Sequence, residues 1–134
     1  MVQIVEASET KSAPRVGIVD DDESMREALQ SLLKSIGFCP TIYASACGFL
    51  SAAEHFDLDC LIIDVRMPEM DGFQLQQRLI EENCRVPIVF ISAHSEQGIK
   101  DRAIAAGAID FLQKPFGENA LLNAIELASK AKKK

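Results

Sequence analysis

Three consecutive aspartates, Asp20, Asp21 and Asp22, close a short apolar run, and Asp64 closes a longer one. Ser92 ends a third such run, and Lys114 follows a fourth. Carboxylates brought close together repel strongly, so clustering them costs stability unless a cation neutralises them. An all-oxygen acidic cluster selects a hard ion such as Mg²⁺, which binds through one or two carboxylates plus a phosphate and keeps several waters. Each residue alone has a plainer use. Asp22 can cap the helix that begins near Glu23, Asp64 can pair structurally with Lys114, and Lys114-Pro115 can be only a turn. The conjunction argues for chemistry, provided the fold brings these residues together.

The elements that must do so are legible. Residues 15–19 form an apolar run suited to a buried strand. Met25, Ala28, Leu29, Leu32, Leu33 and Ile36 then recur at helical spacing, with Gly37 where a helix stops. Residues 41–44 read as a strand, and Ser45 caps a helix running to about His55 with Phe49 and Leu50 inward. Residues 60–65, apolar on both sides, suit a central parallel strand. A helix over residues 73–82, a strand over 88–92, an alanine-rich helix ending near Gly107 and a short strand over 110–113 follow. Leu121, Leu122, Ile125 and Ala128 stripe a final helix.

Five strands alternating with five helices imply an α/β fold: a flavodoxin-like, doubly wound (βα)5 sandwich with a five-stranded parallel sheet in the order 2-1-3-4-5. Open sheets of this kind place their sites at the carboxyl ends of the strands. Asp20, Asp21, Asp64, Ser92 and Lys114 are therefore expected on one rim. Residues 1–14 read as a flexible extension with a strand-like start near Val2, residues 15–129 as the domain, and residues 130–134 as a basic tail or linker start.

Composition sets the outer limits. The 134 residues are 48% hydrophobic and 25% charged, ordinary for one globular domain. The formal net charge of -6 argues against direct nucleic-acid contact by this domain, since Lys and Arg supply most of that affinity. Cys39, Cys47, Cys60 and Cys84 form no C-x-x-C pair, which points to reduced thiols and the cytoplasm. The start does not read as a signal peptide. No apolar run approaches the ~20 residues that span a bilayer, so no membrane contact is expected.

The segments "VGIVDDDESMREAL", "LIIDVRMPEMDG", "PIVFISAHS" and "AIDFLQKPF" resemble, in order, the signature of the receiver domains of two-component response regulators. The finer texture, Arg66 two after Asp64 and His94 two after Ser92, is most similar to receivers that precede LuxR-type helix-turn-helix domains. The resemblance implies that Asp64 accepts a phosphoryl group from a sensor histidine kinase. It also implies that Asp20, Asp21, Asp64 and the backbone carbonyl of Arg66 hold Mg²⁺, with Asp20 acting through a metal-bound water. Ser92 matches the switch hydroxyl, Lys114 the phosphoryl-pairing lysine, and Phe111 the rotating aromatic; the Lys114–Pro115 bond is cis in the family. The side chain of Arg66 and His94 could tune the phosphoryl lifetime. The face of the fourth helix, fifth strand and fifth helix would control the output, and related receivers pair through it into phosphorylation-dependent homodimers.

Other readings of the same residues fit less well. A magnesium-dependent phosphatase of the haloacid-dehalogenase class needs a second aspartate where Arg66 stands, and arginine cannot donate the proton. An FMN-binding flavodoxin would present amides and hydroxyls to a phosphate where Asp20, Asp21 and Asp22 would repel it. A degenerate or stand-alone receiver used as a protein-docking module would not need the full acidic set. A receiver catalyses only its own phosphorylation and dephosphorylation, so the chain is not expected to be an enzyme. The sequence is compatible with a stand-alone receiver and with a piece of a longer regulator, and His55 reads as a surface residue.

Overall fold

A computed structural model describes residues 13–52, 57–93 and 98–133. The strands are β1 (Arg15–Val19), β2 (Cys39–Tyr43), β3 (Cys60–Asp64), β4 (Ile88–Ser92) and β5 (Asp110–Gln113). The helices are α1 (Glu23–Ser35), α2 (Ala46–Leu50), α3 (Gly72–Glu81), α4 (Ile99–Ala105) and α5 (Glu118–Lys133). All strand pairs are parallel and the order is β2-β1-β3-β4-β5, as expected from the alternation of strand and helix.

Alternation along the strands sorts the core into two layers. Leu61 and Ile63 of β3 face Phe49, Phe73, Leu75, Leu79, Phe90 and Ala103, on the side of α2, α3 and α4. Cys60 and Ile62 face Leu29, Leu33, Leu121, Ala124, Ile125 and Ala128, on the side of α1 and α5. Every residue of β3 and β4 is buried because helices cover both faces. Burying each such branched side chain stabilises the fold by roughly 1.5–3 kcal/mol before chain entropy is set against it.

Several boundaries differ from the sequence reading, among them the end of β3, which closes at Asp64 rather than at residue 65. β2 begins at Cys39, two residues early, because Cys39 and Pro40 pair with Arg15 and Val16. As an edge strand it tolerates a proline that lacks an N–H. α2 closes at Leu50 rather than near His55, where the Ala52 N–H turns back to the Phe49 carbonyl at 3.0 Å. α3 starts at Gly72 and ends at Glu81, with Asp71 as its cap in a reciprocal capping box with Gln74. α5 runs through the lysines to Lys133, past the boundary expected at 129. Lys132 Nζ donates to the Leu58 carbonyl at 2.7 Å and lies 3.6 Å from Asp59, so the end of the helix is tied to the foot of β3. The strand-like start at Val2, His55 and His94 lie outside the described residues.

Candidate functional site

The expected rim residues come from four strand ends. The β1–β3 register, Val19 with Ile63, sets Asp20 beside Asp64. The turn after β1 is fixed by its own side chains: the Asp22 N–H donates to Asp20 Oδ1 at 2.9 Å, and Asp22 in turn caps α1 by accepting from the Ser24 N–H at 3.0 Å. Asp20 is fully buried and Asp64 nearly so, whereas Asp21 is exposed. One carboxylate oxygen from each of Asp20, Asp21 and Asp64 lies within 4.8 Å of the others. That all-oxygen donor set fits a small, hard divalent cation such as Mg²⁺.

Lys114 enters from the end of β5, where its N–H donates to the Ser92 carbonyl at 2.8 Å. This bond joins the ends of β4 and β5 and aims the ammonium inward. Lys114 Nζ lies 3.2 Å from Asp20 Oδ2 and 3.7 Å from Asp64 Oδ2, with its side chain 15% exposed. The Lys114–Pro115 peptide bond is cis. Ser92 is buried at the end of β4, and Phe111, half-buried on β5, packs against the layer under α2, α3 and α4. The Arg66 N–H approaches Asp64 Oδ1 at 3.4 Å, which places the backbone of Arg66 at the site.

The electrostatics follow from this crowding. Burial pushes the Asp64 carboxyl up to about 7, and the neighbouring Asp20 carboxylate adds to the shift by repulsion and by sharing a hydrogen bond. Lys114 and the Arg66 N–H act in the opposite sense. Crowding of the buried carboxylates therefore makes their joint ionisation costly, and a bound cation would relieve it. The buried thiol of Cys60 is pushed far up, first by desolvation and then by Asp59, and that of Cys84 is raised mainly by burial. Neither is a ready nucleophile.

Two supports were not apparent in the sequence. Arg26, one turn into α1, donates from Nη1 to the Asp20 carbonyl at 2.9 Å and pins the acidic turn. Gly72 lets the start of α3 press against the end of β3, where a Cβ would stand 2.7 Å from the Asp64 carbonyl oxygen and 3.0 Å from Val65 Cα. The glycine is required by this approach of backbone to backbone. The D-G dipeptide in the loop was the available signal.

Residues 16–126 match the family described as the response regulator receiver domain. The chain is 49% identical over 113 residues to the response regulator protein TmoT of Ectopseudomonas mendocina, covering 84% of this chain and 51% of that one. It is 38% identical over 111 residues to the transcriptional regulatory protein FixJ of Bradyrhizobium diazoefficiens, covering 83% of this chain and 54% of that protein. Among solved structures, FixJ-N superposes with a TM-score of 0.80 at 35% identity, covering 90% of this chain and 96% of that one. The response regulator StyR superposes with a TM-score of 0.81 at 45% identity, covering 89% of this chain and 60% of that one. The chain spans about half the length of the curated relatives it matches. With its acidic turn, central aspartate, hydroxyl and lysine at successive strand ends of a 2-1-3-4-5 sheet, the chain belongs to the receiver domain family of response regulators.

Proposed function

We propose that the chain accepts a phosphoryl group on Asp64 from the phosphohistidine of a sensor kinase and signals the event through α4, β5 and α5. The observation that carries this reading is the buried Asp64 carboxylate, flanked by Asp20 and Lys114 within hydrogen-bonding or ion-pairing reach. Transfer breaks the N–P bond of the donor and forms an O–P bond to Asp64. The electron pair stays on the imidazole nitrogen, which takes up a proton. Lys114 favours the ionised nucleophile and then pairs with the phosphoryl oxygens, while the Ser92 hydroxyl donates to one of them. Asp21, Asp64 and the Arg66 carbonyl, with Asp20 through a bound water, would hold Mg²⁺, which would supply neutralisation of the charge on the equatorial oxygens. Water later cleaves the acyl phosphate to inorganic phosphate and restores the carboxylate. The chain thus modifies only itself and turns over no separate substrate.

The switch uses the same groups. New charge and acceptor oxygens on Asp64 draw Ser92 toward them, the loop after β4 shifts, and Phe111 turns inward, so that two states exchange population. Arg66, whose side chain can pair with phosphoryl oxygens, and His94 tune the lifetime of the modification. The α4–β5–α5 face is read as a phosphorylation-dependent dimer contact in a cytoplasmic regulator, with no direct nucleic-acid contact by this domain. Lys100, Asp101 and Arg102, with Asp110 and Glu118 close by, give that face both signs of charge, which suits a self-complementary two-fold contact. Of the three exposed large apolar side chains among the described residues, Ile104 lies on α4 and Leu127 on α5. Among the described residues no helix is long and apolar enough to cross a membrane.

Incubation with acetyl phosphate and Mg²⁺ followed by intact mass spectrometry tests the acceptor role. One added phosphoryl group is expected on the parent and none on Asp64→Asn. Equal labelling of both would remove Asp64 from the role. Light scattering with beryllium fluoride and Mg²⁺ tests the dimer; a monomer at high concentration in both states would reject it.

A further inference from the structure

We propose that Arg102 is a positioning residue that holds α4 in its unphosphorylated place by lying across the ring of Phe73. The inference rests on the phosphoacceptor reading and names the contact that the switch must overcome. The Arg102 guanidinium carbon lies 4.0 Å from the Phe73 ring centroid, a cation–π contact between α4 and α3. Phe73 is almost fully buried and packs on Phe90 with ring centroids 5.1 Å apart. Phe90 stands two residues before Ser92 on β4, so the two side chains share one face of the sheet. Phe73 also follows Gly72, whose Cα is pressed against the backbone of Asp64. One ring thus connects the strand end bearing the acceptor, the strand end bearing the switch hydroxyl, and the helix expected to move.

Among the described residues the other ties between α4 and α3 are few, with Ile99 and Ala103 entering the layer that holds Phe73. The helix has seven residues, and its N-cap, Gly98, sits at φ +93° with no side-chain cap bond. Ala103 is its one fully buried residue, and the hydrogen bond from Gln76 Nε2 to the Ala106 carbonyl at 3.3 Å adds a second tie from α3. Phe73 and Gln76 are three residues apart and so present the same face of α3. Between Arg102 and the site lies a small cleft of about 150 Å³ lined by Val65, Arg66, Asp71, Phe73, Ile99 and Arg102. The start of α4 therefore borders open space once Arg102 leaves the ring. A weakly capped helix, one cation–π contact and an adjoining void together describe a latch with a low threshold.

The test uses beryllium fluoride with Mg²⁺, whose apparent affinity reports how readily the protein enters the phosphorylated-like state. Breaking a contact made only in the resting state raises that affinity. An exposed cation–π pair corresponds to roughly a two- to fivefold change. Isothermal titration calorimetry on Arg102→Met should show tighter binding of that order, and Arg102→Lys, which keeps a cation, a smaller shift. The direction is diagnostic, because removing a positive charge near an anion site by itself weakens anion binding. Hydrogen exchange on the unliganded protein should show faster exchange of α4 amides in Arg102→Met with β3 unchanged. Unchanged or weaker beryllium fluoride binding would overturn the latch, as would unchanged α4 exchange. If the parent itself binds no beryllium fluoride, the phosphoacceptor reading fails, and the latch stands or falls on the exchange data alone.

Discussion

Replacing Asp64 by asparagine should stabilise the metal-free protein at pH 8. The Asp64 carboxyl is raised from its ordinary value of 3.8 to about 7, chiefly by burial and then by Asp20. A raised value means that the folded state binds the proton more tightly than the unfolded chain. Stability from this group is therefore fully present below about pH 4 and is lost as the pH rises through 7. At 1.36 kcal/mol per unit the loss is bounded at about 4 kcal/mol, and relaxation of the folded protein around the buried charge reduces it to the order of 2 kcal/mol. The asparagine amide has the same shape, cannot ionise, and can donate to Asp20 instead of repelling it. Thermal and urea melts without metal should place Asp64→Asn roughly 5–10 °C above the parent at pH 8, and within a few degrees of it at pH 5. Saturating Mg²⁺ should close most of the gap at pH 8, because binding stabilises the parent by about 2.7 kcal/mol at a hundredfold excess over Kd. A variant less stable than the parent at pH 8, or an advantage independent of pH, would refute the picture of a crowded, under-neutralised carboxylate.

Gly72→Ala should cost about 1–3 kcal/mol in urea unfolding and slow phosphorylation by acetyl phosphate, because its Cβ would meet the Asp64 carbonyl oxygen at 2.7 Å. Unchanged stability and rate would mean that α3 can shift freely. Lys132→Ala should lower stability by about 1 kcal/mol through loss of the bond to the Leu58 carbonyl, while Lys130→Ala on the exposed side stays within about 0.5 kcal/mol. Equal effects would show that the lysines act only through net charge.

The central strands were legible because buried parallel strands are apolar on both faces, which made residues 60–65 and 88–92 hard to mistake. The site was legible for the same reason: Asp20, Asp64 and Ser92 interrupt apolar runs at the points where a parallel sheet exposes its rim. Less could be read where a tertiary partner decides. Pro40 disguised the start of β2, although an edge position tolerates it, and the lysines after 129 looked like a solvated tail until Asp59 and the Leu58 carbonyl were found against Lys132. Arg26 and Arg102 are surface charges on helices by pattern; only the folded chain brings one to the Asp20 carbonyl and the other to the Phe73 ring.

The most direct measurement is chemical capture of the acyl phosphate. After incubation with acetyl phosphate and Mg²⁺, borohydride reduces an aspartyl phosphate to homoserine, and peptide mapping locates the converted residue. Conversion is expected at Asp64 alone, dependent on Mg²⁺ and absent when the metal is chelated. Conversion at Asp20, Asp21 or another carboxylate with Asp64 intact, or labelling that resists borohydride, would contradict Asp64 as the phosphoacceptor.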